Sequence, residues 1–253
     1  MINEANKRLA FEHAQREYPR ECCGLVVLER GVETYHPCRN LAVGTDHFAL
    51  HPEDYAAAAD AGEILAVVHS HPNASPQPGQ ADKVACEQSG LPWHIVSVPN
   101  GTWASLAPAG YKAPLIGRHW AHGVLDCYSV IRDYYSEVLG VTLIDFPRTD
   151  EWWYNGGNLY VEMHKKVGFE IVPQEDLRPN DLIVMQVLAD VPNHGAVYLG
   201  GNKMLHQLHK RLSCIEIYGG YWQKHTYCIL RFTNADSDTL RRISETVWRG
   251  ASL

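Results

Sequence analysis

The sequence predicts an α+β chain of two domains, a mixed α/β half followed by a half built on an antiparallel sheet. Three observations lead there. At 253 residues the chain exceeds the usual length of one domain. The stretch "APAGYKAPLIG", residues 107–117, places Pro108, Gly110, Pro114 and Gly117 in a weakly periodic joint. The apolar patterns also differ on its two sides, with helices alternating with buried strands before it and one helix followed by successive strands after it. The boundaries drawn from these observations are 1–110 and 115–253.

In the first half, a helix is expected over about residues 3–18, then the strand "CCGLVVLE" stopped by the Arg30-Gly31 turn. A second strand follows near Thr34 to Arg39. A helix beginning after Pro52 leads to the strand "ILAVVHSH", a proline-rich loop and a helix from about Gln80 to Gln88. The strands "WHIVSVP" and "TWASLA" flank the turn "NG". In the second half, "DCYSVIRDYYSEVLG" sets Cys127, Val130, Ile131, Tyr134, Val138 and Leu139 at helical spacing and stops at Gly140. "DLIVMQVL", "HGAVYLG", "KMLHQL" and "HTYCILRF" read as strands of an antiparallel sheet, and "DSDTLRRISETVW" as a closing helix capped by Asp or Ser.

Composition excludes several classes. Apolar residues make up 45%, and no stretch approaches the roughly 18 apolar residues of a membrane span. The net charge of -7 offers no basic surface to nucleic acid, and Lys plus Arg against Asp plus Glu runs 7 to 13 in residues 1–110 but 15 to 16 in 111–253. "MINEANKRLAFEHAQREYP" has no apolar core of an export signal, so the protein is expected to mature where it is made. The seven cysteines form no C-x-x-C pair and are expected as thiols in a reducing cytoplasm.

Two clusters carry chemistry. In "VVHSHPNASPQPGQADK", His69 and His71 are two apart on a strand and so present both imidazoles to one space. Asp82 returns through a loop held open by Pro72, Pro76 and Pro78 as a third ligand. Two nitrogens and a carboxylate leave a fourth tetrahedral position open, the pattern of a catalytic zinc. The bland alternative is a polar strand end, with Asp82 only a helix N-cap. The second cluster starts at Cys127, in the first turn of a helix whose dipole favours a thiolate, although Asp126 beside it opposes this. "NHGAVYLGGNKMLHQL" offers His194 and His206 on a hairpin. A three-residue loop puts His206 diagonally beside His194 on one face, and a two-residue loop turns it away. A buried, inert Cys and satisfied strand histidines are the bland alternative here.

"HSHP" with an aspartate eleven residues after the second histidine, preceded by the acid in "YPRECCGLV", resembles the JAMM metallopeptidases of the MPN fold over roughly residues 10–105. The resemblance implies Zn(2+) on His69, His71 and Asp82, with Glu21 as general base. It departs at Gly79, where the family has a serine that helps stabilise the oxyanion; a lost oxyanion donor commonly costs about 10² to 10³ in turnover. Ser75 lies four residues earlier. "LDCYSVIRDYY", "NHGAVYLGG" and "LHQL" resemble the NlpC-type cell-wall cysteine peptidases, papain-like folds, over roughly residues 115–235. This implies Cys127 as nucleophile, His194 as general base and His206 as its orienting partner, with His209 as the other candidate for the third role.

A JAMM-like domain followed directly by an NlpC-type domain resembles the lambda-type phage tail-tip assembly proteins. That resemblance implies peptidoglycan stem peptides as substrate, cut at the D-glutamate to diaminopimelate type of bond, and other tail tip proteins as partners. The host cytoplasm during assembly and the virion tail tip are the expected locations. A tail-borne enzyme needs no export signal. Two rival functions are a non-catalytic assembly or structural factor, which Gly79 favours for the first domain, and a cytoplasmic hydrolase recycling murein peptides.

Overall fold

The computed structural model describes residues 2–149 and 152–233. The helix expected in "DSDTLRRISETVW" lies outside the described residues. The described residues divide into two compact units, the first ending at Ala113 and the second starting at Pro114.

The first unit opens with α1 (Glu4–Glu17), capped by the Asn3 side chain on the Asn6 N–H, and continues with β1 (Cys23–Glu29) and β2 (Val32–Cys38). Next come α2 (Pro52–Ala61), β3 (Glu63–Pro72), α3 (Gln80–Ser89), β4 (Trp93–Val98) and β5 (Trp103–Leu106). The sheet order is β2-β1-β3-β4-β5, with β3 and β4 parallel because α3 carries the chain from one to the other. Strand alternation sends Leu25, Val27, Val67 and Trp93 into a core with Ala58 of α2 and Cys86 of α3, while Val26, Ala66 and Val68 pack with Ala10 of α1. Helices therefore cover both faces. His69 belongs to the first of these, the face of α3.

The second unit begins with α4 (Cys127–Leu139), whose stripe of Val130, Ile131 and Tyr135 is fully buried. It is followed by α5 (Leu159–Met163), β6 (Phe169–Val172), β7 (Leu182–Met185), β8 (His194–Gly200), β9 (Lys203–His206), β10 (Cys214–Ile217), α6 (Tyr221–Lys224) and β11 (Thr226–Phe232). All of its strands pair antiparallel, in the order β10-β9-β8-β7-β11-β6. One face packs Leu182, Val184, Val197, Leu205 and Leu230 against α4; the other packs Ile183, Met185, Ala196 and Met204 against Tyr218 and Trp222.

Several element ends differ from the sequence reading. β2 begins at Val32, two residues early, because its pairing with β1 runs down to the turn. β7 stops at Met185, where the Asn193 side chain bonds both the N–H and the carbonyl of Val187 and closes the loop back to β8. β6 and β10 are four-residue strands that the pattern did not mark, and both are sheet edges where outward side chains need not be polar: Ile171, Ile215 and Ile217 are exposed.

Candidate metal centre and candidate thiol site

β1 and β3 pair with Cys23 opposite His69, so the chain just before β1 runs past the end of β3 where His71 lies. His69 Nε2 stands 3.1 Å from His71 Nε2 and 3.2 Å from Asp82 Oδ1, and His71 Nε2 is 3.5 Å from Asp82 Oδ2. A tetrahedral ion with metal–nitrogen bonds of 2.0–2.1 Å has ligand atoms about 3.4 Å apart. The three ligand atoms therefore already form one face of such a tetrahedron, and the group fits zinc. His71 Nδ1–H donates to the Ser75 carbonyl at 2.7 Å, which fixes the ring with its Nε2 lone pair toward the other two ligands. Phe48 and Trp93 pack on His69 at centroid distances of 4.9 and 5.3 Å and dry that side of the cluster. His69 Nδ1 is buried without a hydrogen-bond partner.

Electrostatics follow the burial. Burial lowers the pKa of His69. Burial also opposes charge on His71, but the Asp82 and Ser75 hydrogen bonds outweigh it and raise that pKa. Asp82 would be raised by burial, yet the two imidazoles hold it well below the usual carboxylate range. Glu21 is 7% exposed, and burial pushes it up to about 8, with His71 pulling it down and Asp82 pushing it further up. A cation on the ligands would act in the opposite direction and favour the carboxylate.

Asp82 is not the N-cap. Gly79 is, and the Asp82 carboxylate reaches back from the third helical position to accept the Gly79 N–H at 2.6 Å. Gly79 has an ordinary extended backbone at φ -73°, and an added Cβ would meet only Asp82 Oδ2 at 3.5 Å. Nothing in the fold demands glycine there. Ser75 faces His71 with its carbonyl, while its hydroxyl accepts the Gln77 N–H.

In the second unit, Asp126 caps α4, its Oδ1 accepting the Ser129 N–H at 2.9 Å while Ser129 Oγ accepts the Asp126 N–H. Its other oxygen takes the Arg148 Nε–H at 2.7 Å, and both side chains are buried. Arg148 also pairs with Asp145 at 2.8 Å, so removing Arg148 is the costlier change: it leaves the buried Asp126 carboxylate without its counter-charge, at about 3–5 kcal/mol. Cys127 follows in the first turn, 9% exposed, with Sγ 3.6 Å from the Tyr160 hydroxyl and within reach of the Gly195 N–H. Gly195 is required by this approach, since a Cβ there would lie 2.5 Å from the Tyr160 oxygen and 2.7 Å from Ile131 Cδ1.

The hairpin combines both loops considered from sequence. Its tip pairs Gly200 with Lys203 across Gly201 and Asn202, both at positive φ as a two-residue type I′ turn needs. Alone that register would turn His206 away. A bulge between Tyr198 and Gly200 shifts it back by one, so Ala196 faces His206 and the two histidines share a face. His194 Nε2 and His206 Nδ1 are 3.0 Å apart, and His206 Nε2 is 2.9 Å from Glu216 Oε2. A carboxylate only accepts, so His206 donates from Nε2 and its Nδ1 accepts the His194 Nε2–H. His194 is then left with its lone pair on Nδ1. His209 lies instead against Trp120, ring centroids 5.2 Å apart.

Cys127 and His194 line one cleft of about 300 Å³, with Trp120, Trp152, Trp153, Tyr154 and Tyr160 among its walls. Burial lowers His194 to about 3, and burial followed by the Asp126 carboxylate pushes the Cys127 thiol up to about 11. Desolvation of both groups opposes the dipole and favours the neutral thiol and the neutral imidazole. Alkylation of Cys127 in the substrate-free protein should therefore rise about tenfold per pH unit from about pH 6 to 9, as the thiolate fraction does below a high pKa. Mass spectrometry of the Cys127 peptide measures this; a flat rate across that range would mark an ion pair and contradict it.

Arg148, Tyr160 and Glu216 were missed from sequence. Glu216 had a usable signal, since it lies two residues beyond the position that pairs with His206, but the edge strand carrying it was itself unmarked.

The fold and these two clusters define a JAB/MPN-type domain followed by an NlpC/P60-type domain. The model for prokaryotic homologs of the JAB domain matches residues 4–108, and that for the NlpC/P60 family matches residues 117–231. A tail tip assembly protein K from Escherichia phage N15 is 45% identical over 226 residues, 87% of this chain and 91% of the relative. Another, from Escherichia phage lambda, is 38% identical over 182 residues, 72% of this chain and 88% of the relative. Among solved structures, a JAB1/MPN domain protein from Archaeoglobus fulgidus is similar at 20% identity and a TM-score of 0.29, over 43% of this chain and 87% of that one. The chain belongs to the family of phage tail tip assembly proteins K. Among the described residues, no helix is long and apolar enough to cross a membrane.

Proposed function

We propose that the second domain is a cysteine peptidase that cuts peptidoglycan stem peptides, at the D-glutamate to diaminopimelate type of bond, for a phage tail tip. The observation that carries this reading is the hydrogen-bonded run from His194 through His206 to Glu216, which leaves an unprotonated nitrogen on a histidine sharing a cleft with Cys127. In the reaction, His194 Nδ1 takes the Sγ proton as sulfur attacks the peptide carbonyl carbon, and it returns that proton to the departing amine. Water then hydrolyses the thioester with His194 again as base, releasing the acid and the free thiol. The Gly195 N–H supports the sulfur while it carries charge, and His206 and Glu216 hold the tautomer. The aromatic walls suit the apolar and ring surfaces of a murein fragment. Purified protein incubated with murein should release stem-peptide fragments; an alkylating reagent should abolish release, and a chelator should spare it.

In the first domain, His69, His71 and Asp82 would hold zinc, which when bound supplies Lewis-acid activation of water and of a carbonyl. Glu21, buried near the ligands, would accept a proton there as general base. Gly79 supports a second reading for this domain, that it holds metal for assembly without turnover. Other tail tip proteins are the proposed partners, met in the host cytoplasm during assembly and kept in the virion tail tip.

Each half is proposed to fold by itself, with its limits at 1–110 and 115–253. Glu87 ties the joint to the first unit by accepting the N–H groups of Ala109 and Tyr111, and Ser213 ties Arg118 to the second. The stretch left between those anchors holds exposed Lys112. Brief trypsin treatment should cut there first; a first cut inside either half, with the joint intact, would count against the division.

A further inference from the structure

We infer that the outer edge of the second sheet carries a metal site, made by His206 Nε2, Cys214 Sγ and the Glu216 carboxylate, which takes zinc or a similar borderline divalent cation and switches the thiol site off when filled. The switch rests on the cysteine-peptidase reading above; the metal site does not.

β10 is the edge strand, and its Cys214 lies directly opposite His206 on β9, with Glu216 two residues further along the same face. The nitrogen, sulfur and carboxylate oxygen all lie within 4.8 Å of one another. A zinc with nitrogen and oxygen at about 2.0–2.2 Å and sulfur at about 2.3 Å needs edges near 3.5 Å, a closure that rotation of two side chains on an edge strand can supply. The mixed donor set selects zinc over magnesium or calcium. Glu216 is exposed and Cys214 half-buried, so an ion can enter from solvent while His206 anchors it from the interior.

The consequence for His194 follows from proton positions. Without metal, His206 carries its proton on Nε2 and gives it to Glu216, so its Nδ1 accepts from His194. A metal on Nε2 needs that lone pair, and a bound neutral imidazole keeps its proton on Nδ1. His206 Nδ1–H then donates to His194 Nε2, and His194 must carry its own proton on Nδ1, where the base was. Each ring still holds one proton; the proton released to solvent comes from the Cys214 thiol as it becomes thiolate. His194 can no longer accept from Cys127.

Titrating the metal-free full chain with cobalt(II) should produce a near-ultraviolet thiolate-to-cobalt band. The band should persist in Cys127→Ala and vanish in Cys214→Ser; the His69, His71 and Asp82 group has no sulfur to give one. No band in the unsubstituted protein, or a band surviving Cys214→Ser, overturns the metal site. In murein digestion, added zinc should inhibit reversibly. Cys214→Ala should digest at the unsubstituted rate without metal and need about 10- to 100-fold more zinc for the same inhibition. Equal inhibition of Cys214→Ala overturns the switch and moves the inhibiting zinc to Cys127. If the metal-free protein does not digest murein at all, the peptidase reading fails, and the cobalt band alone judges the metal site.

Discussion

Cys127→Ser should abolish murein digestion, lowering the rate by about 10⁴- to 10⁶-fold while leaving the fold intact. The hydroxyl keeps the shape of the thiol, so the Tyr160 contact and the packing of α4 against Gly195 survive. Chemically it is a poor substitute. The site raises even the thiol to about 11, and a hydroxyl starts several units higher, so the His194 nitrogen faces a much harder proton transfer. His206→Ala should lose about 10² less than this, because it frees the tautomer of His194 without removing the nucleophile or the base. Release of stem-peptide fragments, followed by chromatography, measures both. Cys22, Cys23 and Cys38 are buried and their thiols are held up by burial, but Cys214 and Cys228 are only half-buried and can be labelled, so alkylation data need the variant beside them. If Cys127→Ser digests murein at the unsubstituted rate and a chelator stops it, the activity belongs to the first domain.

His69→Ala combined with His71→Ala should remove the zinc held by the first domain, one ion per chain, while the edge site at His206, Cys214 and Glu216 is unaffected. The two nitrogens form one edge of the ligand face and hold the ion jointly with Asp82, so the pair of substitutions leaves a single carboxylate, which does not retain zinc through dialysis. His71 lies at the mouth of β3, but His69 is fully buried against Phe48 and Trp93, so its truncation leaves a cavity and costs stability; circular dichroism checks that the double variant is folded before its metal content is read. Glu21→Gln should keep the metal, as that residue is proposed to move a proton and not to bind the ion. Metal content by emission spectroscopy after dialysis separates the cases. Measured in a Cys214→Ser background, which empties the edge site, zinc retained by the double variant would place the ion elsewhere, and zinc lost from Glu21→Gln would make Glu21 a ligand. Gly79→Ser extends the test to turnover: the backbone there accepts a side chain, so a gain of peptidase activity would identify the missing hydroxyl as the defect.

What local pattern could carry, the sequence by itself determined. The two-residue spacing of His69 and His71 on one strand, the helical spacing that starts at Cys127 and the runs of alternating strands are short-range facts, governed by the periods of helix and strand. They yielded the α+β class and the order of the two domains. The register of the β8–β9 hairpin was legible only as a choice between loops, because one residue more or less inverts every side chain beyond it, and the bulge at Tyr198 that decides the matter has no local signature. Glu216, Tyr160 and Arg148 come from 10 to 33 residues away from the groups they touch, and no spacing rule reaches them. The charge state was the furthest from view. The helix dipole at Cys127 was legible because it depends only on its own helix, but desolvation depends on what the rest of the chain lays over the site, and here burial pushes the thiol up and the imidazole down, toward the neutral form of each.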